Sequence, residues 1–325
     1  MAILPGVTPD RLKLILDRQK HGLFGKNYIP SILATRNEAP SISRPSILSS
    51  SKLGRDIHLL SQPERFAALL ALHNPNLIDL QEQKMLPTGP CQHPLASHPS
   101  MVGKSLPSMR GTVAVADALG YLKFHPTVSV PDPRMPDANM WVPYPYVGDL
   151  LLFMNSEGRN YCVNWTVKKN SDDFSRGVPS GRRRGNSIKE KEKAIARHQV
   201  EEVNYLDADI RTVQFTEDTV DLVVINNLHK LFGYTKAKLE INGEQRQEIL
   251  DKFKSGMVLG IPGNEIVQML INQNRFTIHD CLTVFNQAIW SRELRVDLFS
   301  PILINRPIRP EVQDVLAVYS NLFKE

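Results

Sequence analysis

Cysteine is scarce in this chain. The three present, Cys91, Cys162 and Cys281, are odd in number and lie far apart in 325 residues. That pattern excludes a disulfide framework and suits a reducing cytoplasm. Long apolar runs are also missing. No stretch approaches the roughly 18 residues a spanning helix needs, so no membrane association is expected. Near the N-terminus Asp10, Arg11, Lys13 and Asp17 break up the apolar residues, so no signal peptide is expected there. Neither a P-loop nor a nucleophile elbow occurs, and no internal repeat is apparent. Charge of one sign is only slightly in excess: 39 Lys and Arg against 34 Asp and Glu give +5. Such an excess allows a polyanionic partner, but many proteins that never touch nucleic acid carry as much. The remaining composition, 42% hydrophobic and 22% charged, is that of an ordinary soluble chain. Its length suits two domains or one large one.

The pattern along the chain begins with a helix, capped by Thr8, opened by Pro9 and ended by Gly22. Residues 31–56, rich in Ser, Pro and Arg, read as an irregular arm. A second helix starts at Ser61, carries Phe66, Leu69, Leu70 and Leu72, and closes at Asn74-Pro75. Residues 77–86 look extended. Prolines interrupt any regular pattern over 87–110 and 126–145, and 112–124 suits a short helix or a strand. Val147–Asn155 and Tyr161–Val167 then read as a hairpin, with Gly158 at the turn. After a basic stretch containing Arg182, Arg183 and Arg184, a helix runs from about Ser187 to Leu206, and a strand follows from Arg211 to Thr216. Beyond 217 the texture changes to short helices near 219–232, 246–254, 263–272 and 278–291. A β-like pair at 293–299 and 302–306 comes last. The expected division is therefore 1–216 and 217–325.

The hairpin carries the chemistry. Asp149 opens one strand, and Lys168 ends the other on Trp165-Thr166-Val167-Lys168. An acid on one strand and a residue-x-Lys on the next is the layout of the PD-(D/E)xK nuclease core. Phosphodiester hydrolysis needs a divalent metal to offset phosphorane charge and to acidify the attacking water. Hard carboxylate oxygens hold such a metal, usually magnesium, and a lysine stabilises the hydroxide or the transition state. By itself the pair is a weak signal, since an Asp and a Lys at strand ends are common and read more simply as a turn aspartate and a solvated lysine.

Further stretches in order sharpen the reading. They are Gly25-Lys26-Asn27-Tyr28-Ile29-Pro30, then Gly54-Arg55-Asp56-Ile57-His58-Leu59-Leu60-Ser61 with Glu64, then Asp79-Leu80-Gln81-Glu82-Gln83 with Leu86-Pro87. Gly148-Asp149-Leu150, Val167-Lys168 and Val213-Gln214-Phe215-Thr216 follow. Over roughly residues 20–216 the chain resembles the TnsA family, the endonuclease subunit of heteromeric cut-and-paste transposases. The resemblance implies an α/β fold. It would have a restriction-endonuclease-like PD-(D/E)xK core, an N-terminal helical arm and a C-terminal helical, winged-helix-like domain. It implies cutting of the non-transferred 5′ strand at transposon ends, in bacterial cytoplasm, with Mg2+ as cofactor and Mn2+ as a substitute. Partners would be double-stranded DNA at the transposon ends, a TnsB-type transposase and a TnsC-type ATPase. By the same resemblance Glu64, Asp149, Thr166, Lys168 and Glu201 occupy the catalytic positions, with Glu64, Asp149 and the Val167 carbonyl toward the metal. Thr166 departs from the family, which carries Gln two positions before the lysine. A neutral, short hydroxyl there leaves room for a non-catalytic DNA-binding scaffold.

Each residue also has a plainer reading. Ser61-Gln62-Pro63-Glu64 is a capping box. Glu201 beside Glu202 suits a solvated helix face. Lys169 is DNA-facing or merely exposed. Arg182, Arg183 and Arg184 form a phosphate-contacting loop or a solvated one. Cys91-Gln92-His93 with His98 matches no standard zinc spacing. At the C-terminus, Arg292, Arg295, Arg306 and Arg309 would flank the wing and reach phosphates. The competing use of that domain is binding to partner proteins.

Overall fold

A computed structural model describes residues 6–19, 23–40, 44–174, 188–272 and 274–325. Gly22 and Arg182, Arg183 and Arg184 lie outside the described residues. The fold is a mixed α/β arrangement. In chain order come α1 (Pro9–Gln19), β1 (Ser46–Ser50), β2 (Arg55–Leu59), α2 (Gln62–His73), β3 (Leu77–Glu82) and β4 (Met85–Leu86). Then follow α3 (Thr112–Ala118), β5 (Thr127–Asp132), β6 (Met135–Pro143), β7 (Tyr146–Val147), β8 (Leu150–Ser156) and β9 (Arg159–Val167). The chain continues with α4 (Ile188–Leu206), β10 (Arg211–Phe215), α5 (Leu222–Phe232), α6 (Gly243–Val258), α7 (Gly263–Ile271), α8 (Ile278–Trp290) and α9 (Val315–Val318).

The central sheet has the order β10-β9-β8-β3, antiparallel except for the parallel β9–β10 pair. Glu157 and Gly158, at φ 53° and 81°, make the tight turn between β8 and β9. Side-chain alternation then divides the sheet. Leu150, Leu152, Val163 and Trp165 face the core built with α2, α5, α6 and α8. Leu151, Phe153 and Cys162 face α4. Residues 149, 164 and 166 belong by parity to this second face. Helix α2 is buried from Pro63 to His73 except at Arg65, as its almost continuous apolar run demands.

Three expectations are corrected. The arm at 31–56 contains β1, which pairs with β2 across a Ser51–Gly54 turn; Gly54 sits at φ 66°. The proline-interrupted stretch 126–145 contains the ribbon β5–β6. Prolines are tolerated there because a two-stranded ribbon has only edge strands. The C-terminal wing is not formed. Residues 302–306 turn, and 295–297 meet 309–311 instead, through Asp297 N–H to the Arg309 carbonyl and Glu311 N–H to the Arg295 carbonyl.

Packing runs across position 217. The Trp165 indole donates to the Leu322 carbonyl at 2.8 Å, and the Tyr161 hydroxyl donates to the Phe323 carbonyl at 3.0 Å. His73 of α2 lies against Trp290 of α8. The early sequence stretches converge on β3. Arg55 forms a two-pronged ion pair with Glu82, at 2.8 and 2.7 Å, and both side chains are almost fully buried. The guanidinium lies over the Tyr28 ring, 4.9 Å from its centroid, while the Tyr28 hydroxyl donates to the Glu82 carbonyl. Gly25 N–H reaches Asp79.

Removing one half of a buried ion pair strands the other charge, at a cost of roughly 3–5 kcal/mol. Glu82→Gln is therefore expected to lose about that much stability in urea unfolding. A loss below about 1 kcal/mol would show that water already solvates Arg55.

Candidate active site

Sheet register builds the site. Leu150 pairs with Trp165, so Asp149, one step earlier, falls opposite Thr166. Its carboxylate accepts the Val167 N–H at 2.7 Å and the Lys168 ammonium at 3.3 Å. The Thr166 hydroxyl is at 3.5 Å, a long contact. Lys168 follows the end of β9 and its own N–H bonds to the Phe215 carbonyl, so β10 fixes where the lysine leaves the sheet. Its ammonium also donates to the Val167 carbonyl at 2.9 Å. One cation thus bridges the Asp149 carboxylate and the Val167 carbonyl. Burial pushes the Asp149 carboxyl upward, but Lys168, Arg197 and the Val167 amide outweigh it and hold it below the usual aspartate range.

Glu64 comes from α2. Ser61 caps that helix by accepting the Glu64 N–H, yet the Glu64 carboxylate does not return to the Ser61 amide as a capping box would. It accepts instead from Leu60 N–H at 2.9 Å, the Ser61 hydroxyl at 2.8 Å and the Gln83 amide at 3.0 Å. Gln83 is buried in the left-handed region, at φ 49°. A non-glycine residue held there costs of order 1–2 kcal/mol. Its N–H donates to the Asp149 carbonyl at 2.9 Å, so one residue ties the backbone of Asp149 to the side chain of Glu64. Burial first, then the Asp149 charge, pushes Glu64 up to about 7, against the Leu60 and Ser61 donors and Lys168.

Glu201 points inward and Glu202 outward, so the solvated-face reading fits Glu202 alone. Glu201 accepts from Asn164 at 3.0 Å. Burial raises its pKa; Arg197 opposes and Asp149 reinforces. Arg197 stands one turn earlier on α4 and donates to the Val147 carbonyl at 2.9 Å. The i, i+4 spacing of Arg197 and Glu201 was visible in the sequence as a shared helix face. Gln83 ends the Asp79–Gln83 stretch, but no local signal marks its backbone conformation. His198 is brought down to about 4 by burial, Lys168 and Arg197. It is thus a neutral imidazole close to the lysine.

The other candidates sit elsewhere or are engaged. Lys169 is exposed. Arg292 is held by Asp314 at 2.6 Å, and Arg295 is paired with both Glu311 and Asp314. These two arginines brace the C-terminal segment rather than flank a wing. Arg306 and Arg309 are exposed, and Arg309 donates to Ser300.

Among the described residues there is no group of three or more His, Cys, Asp or Glu that could hold a metal ion. The oxygens on offer are the Asp149 carboxylate and the Val167 carbonyl, already spanned by an ammonium, with Glu64 beside them. That sparse, hard donor set suits Mg2+, which keeps several waters and takes one or two carboxylates. Among the described residues no helix is long and apolar enough to cross a membrane. No model of a known protein family matches the chain, and no curated protein matches it.

Glu64 generates a pH prediction. Its folded pKa, about 7, lies above the ordinary 4.5. The stability this group gives is full below the ordinary value and is lost as pH rises through about 7. Metal-free wild type should therefore lose stability between about pH 5 and about pH 8 relative to Glu64→Gln, by on the order of 2 kcal/mol. Urea unfolding at both pH values checks this; parallel pH profiles would contradict it.

Proposed function

We propose that this chain is a divalent-metal-dependent DNA endonuclease with a PD-(D/E)xK-type core. In this reading it cuts the non-transferred 5′ strand at transposon ends, beside a TnsB-type transposase and a TnsC-type ATPase. The observation that carries the reading is the Lys168 ammonium set between the Asp149 carboxylate and the Val167 carbonyl at one sheet edge. The resemblance of the ordered stretches to the TnsA family supplies the biological setting.

Asp149, the Val167 carbonyl and Glu64 would hold Mg2+ or Mn2+. When bound, that ion supplies charge neutralisation at the phosphate and a more acidic attacking water. Asp149 stays ionised at neutral pH because Lys168 and Arg197 face it. Glu64, with its pKa at about 7, is only partly ionised at neutral pH, and a bound cation would favour its charged form. Lys168, half-buried against Asp149, would stabilise the charge that builds on the phosphate oxygens during hydrolysis. Arg197 offsets the mutual repulsion of Asp149 and Glu201.

A second reading, a DNA-binding scaffold without cleavage, is favoured by Thr166. It is neutral, buried and only distantly in contact with Asp149. The two readings separate in a strand-specific cleavage assay on transposon-end DNA with the partner proteins present. Asp149→Asn should cut at least about a thousandfold more slowly, equivalent to about 4 kcal/mol of barrier, while melting as a folded protein. Undiminished cutting by folded Asp149→Asn would sink the endonuclease reading as assigned. A wild type that binds the ends but never cuts would favour the scaffold.

Thr166 yields a further test. Thr166→Glu restores a carboxylate beside Asp149 and should lower the Mg2+ concentration for half-maximal cutting by about tenfold, whereas Thr166→Val should raise it. Equal metal dependence in all three proteins would mean that Thr166 is only a strand residue.

A further inference from the structure

A cavity of about 310 Å³ opens between the end of α1, β4 with the loop that follows it, and α4. One polar group on its wall, Lys84, lacks the partner its chemistry calls for. Among the described residues its ammonium has no carboxylate against it; what lies beneath is the Tyr28 ring, 5.4 Å from Nζ to the centroid. Burial brings this lysine down to about 8, and Asp79, Cys162 and Cys91 oppose that only in part. Met85, Leu86, Pro87 and Met109 supply apolar wall beside it.

We propose that this cavity binds a small organic anion, with the anionic group on Lys84 and the organic part against the apolar wall. The anionic group can be a carboxylate or a phosphate ester. A pocket with apolar walls and a few convergent polar groups is the usual form of a small-ligand site. The cavity shares none of its wall with Asp149, Glu64 or Lys168, and the inference needs no assumption about DNA cutting. It does adjoin the candidate active site. The Lys84 carbonyl accepts the N–H of Gly148 at 2.8 Å, next to Asp149, and Asn204 follows Glu201 by three residues on α4.

Isothermal titration of the full chain with L-lactate and with 2′-deoxyadenosine 5′-monophosphate tests the site and separates the two anion classes. At least one probe should bind one-to-one. Lys84→Met should weaken that binding by about tenfold or more, while its thermal midpoint stays level or rises, because a desolvated ammonium has been replaced by an apolar chain of similar length. In wild type the affinity should fall as pH rises from about 7 to about 9 and Lys84 loses its proton. The proposal is overturned if neither probe binds, or if Lys84→Met binds as wild type does. Should Lys84→Met fail to fold, wild-type affinity that is flat over that pH range overturns it equally.

Discussion

The buried Arg55–Glu82 ion pair fixes the end of β3, and the candidate site depends on that end staying where it is. Glu82 sits in register with Leu150, and the next residue, Gln83, leaves the strand through the left-handed region. From there its amide reaches the Asp149 carbonyl and its side chain reaches Glu64. Two carboxylates from different elements are thereby held near one another although each raises the other's cost of ionising. Lys168 and Arg197 supply the balancing charge, so Asp149 keeps its charge while Glu64 stands near neutrality. This division between neighbouring acids is a common property of reaction sites, where environments push pKa values apart.

Much of this was legible in the sequence where local chemistry decides the outcome. Ser61 caps α2, Asn74 closes it, and Gly158 turns the hairpin that sets Asp149 against Thr166. The family-like stretches at Gly25, Arg55 and Asp79 turn out to share a physical job, bracing β3, which no single stretch reveals. What stayed hidden depends on tertiary pairing. The strand β1 is Ser-rich and takes its register from β2. Pro131, Pro136 and Pro143 obscured a ribbon whose strands tolerate proline because each is an edge. The wing was misread because Arg295-Val296-Asp297 finds its partner at 309–311, beyond the adjacent apolar residues 302–304.

The C-terminal segment looked separable from sequence texture, but its packing serves the sheet. The carbonyls of Leu322 and Phe323 accept from Trp165 and Tyr161, and Trp165 stacks on Phe215 beneath them. Arg292 and Arg295 close onto Asp314 and Glu311, which holds the last turns in place. Of the four arginines expected to meet phosphate, Arg306 and Arg309 are exposed and form no ion pair among the described residues, whereas Arg292 and Arg295 are engaged. A charged pair engaged with carboxylates adds little to a salt-dependent DNA affinity, since counterion release follows phosphates newly neutralised.

The central claim is that Asp149, Glu64 and the Val167 carbonyl share one divalent cation when the chain is on DNA. Electron paramagnetic resonance of Mn2+ titrated into the chain with transposon-end DNA measures this without any cleavage readout. The account predicts tightly held Mn2+ in wild type, sharply reduced in Asp149→Asn and weakened in Glu64→Gln. Equal Mn2+ occupancy in all three proteins, each folded and bound to the DNA, would contradict it.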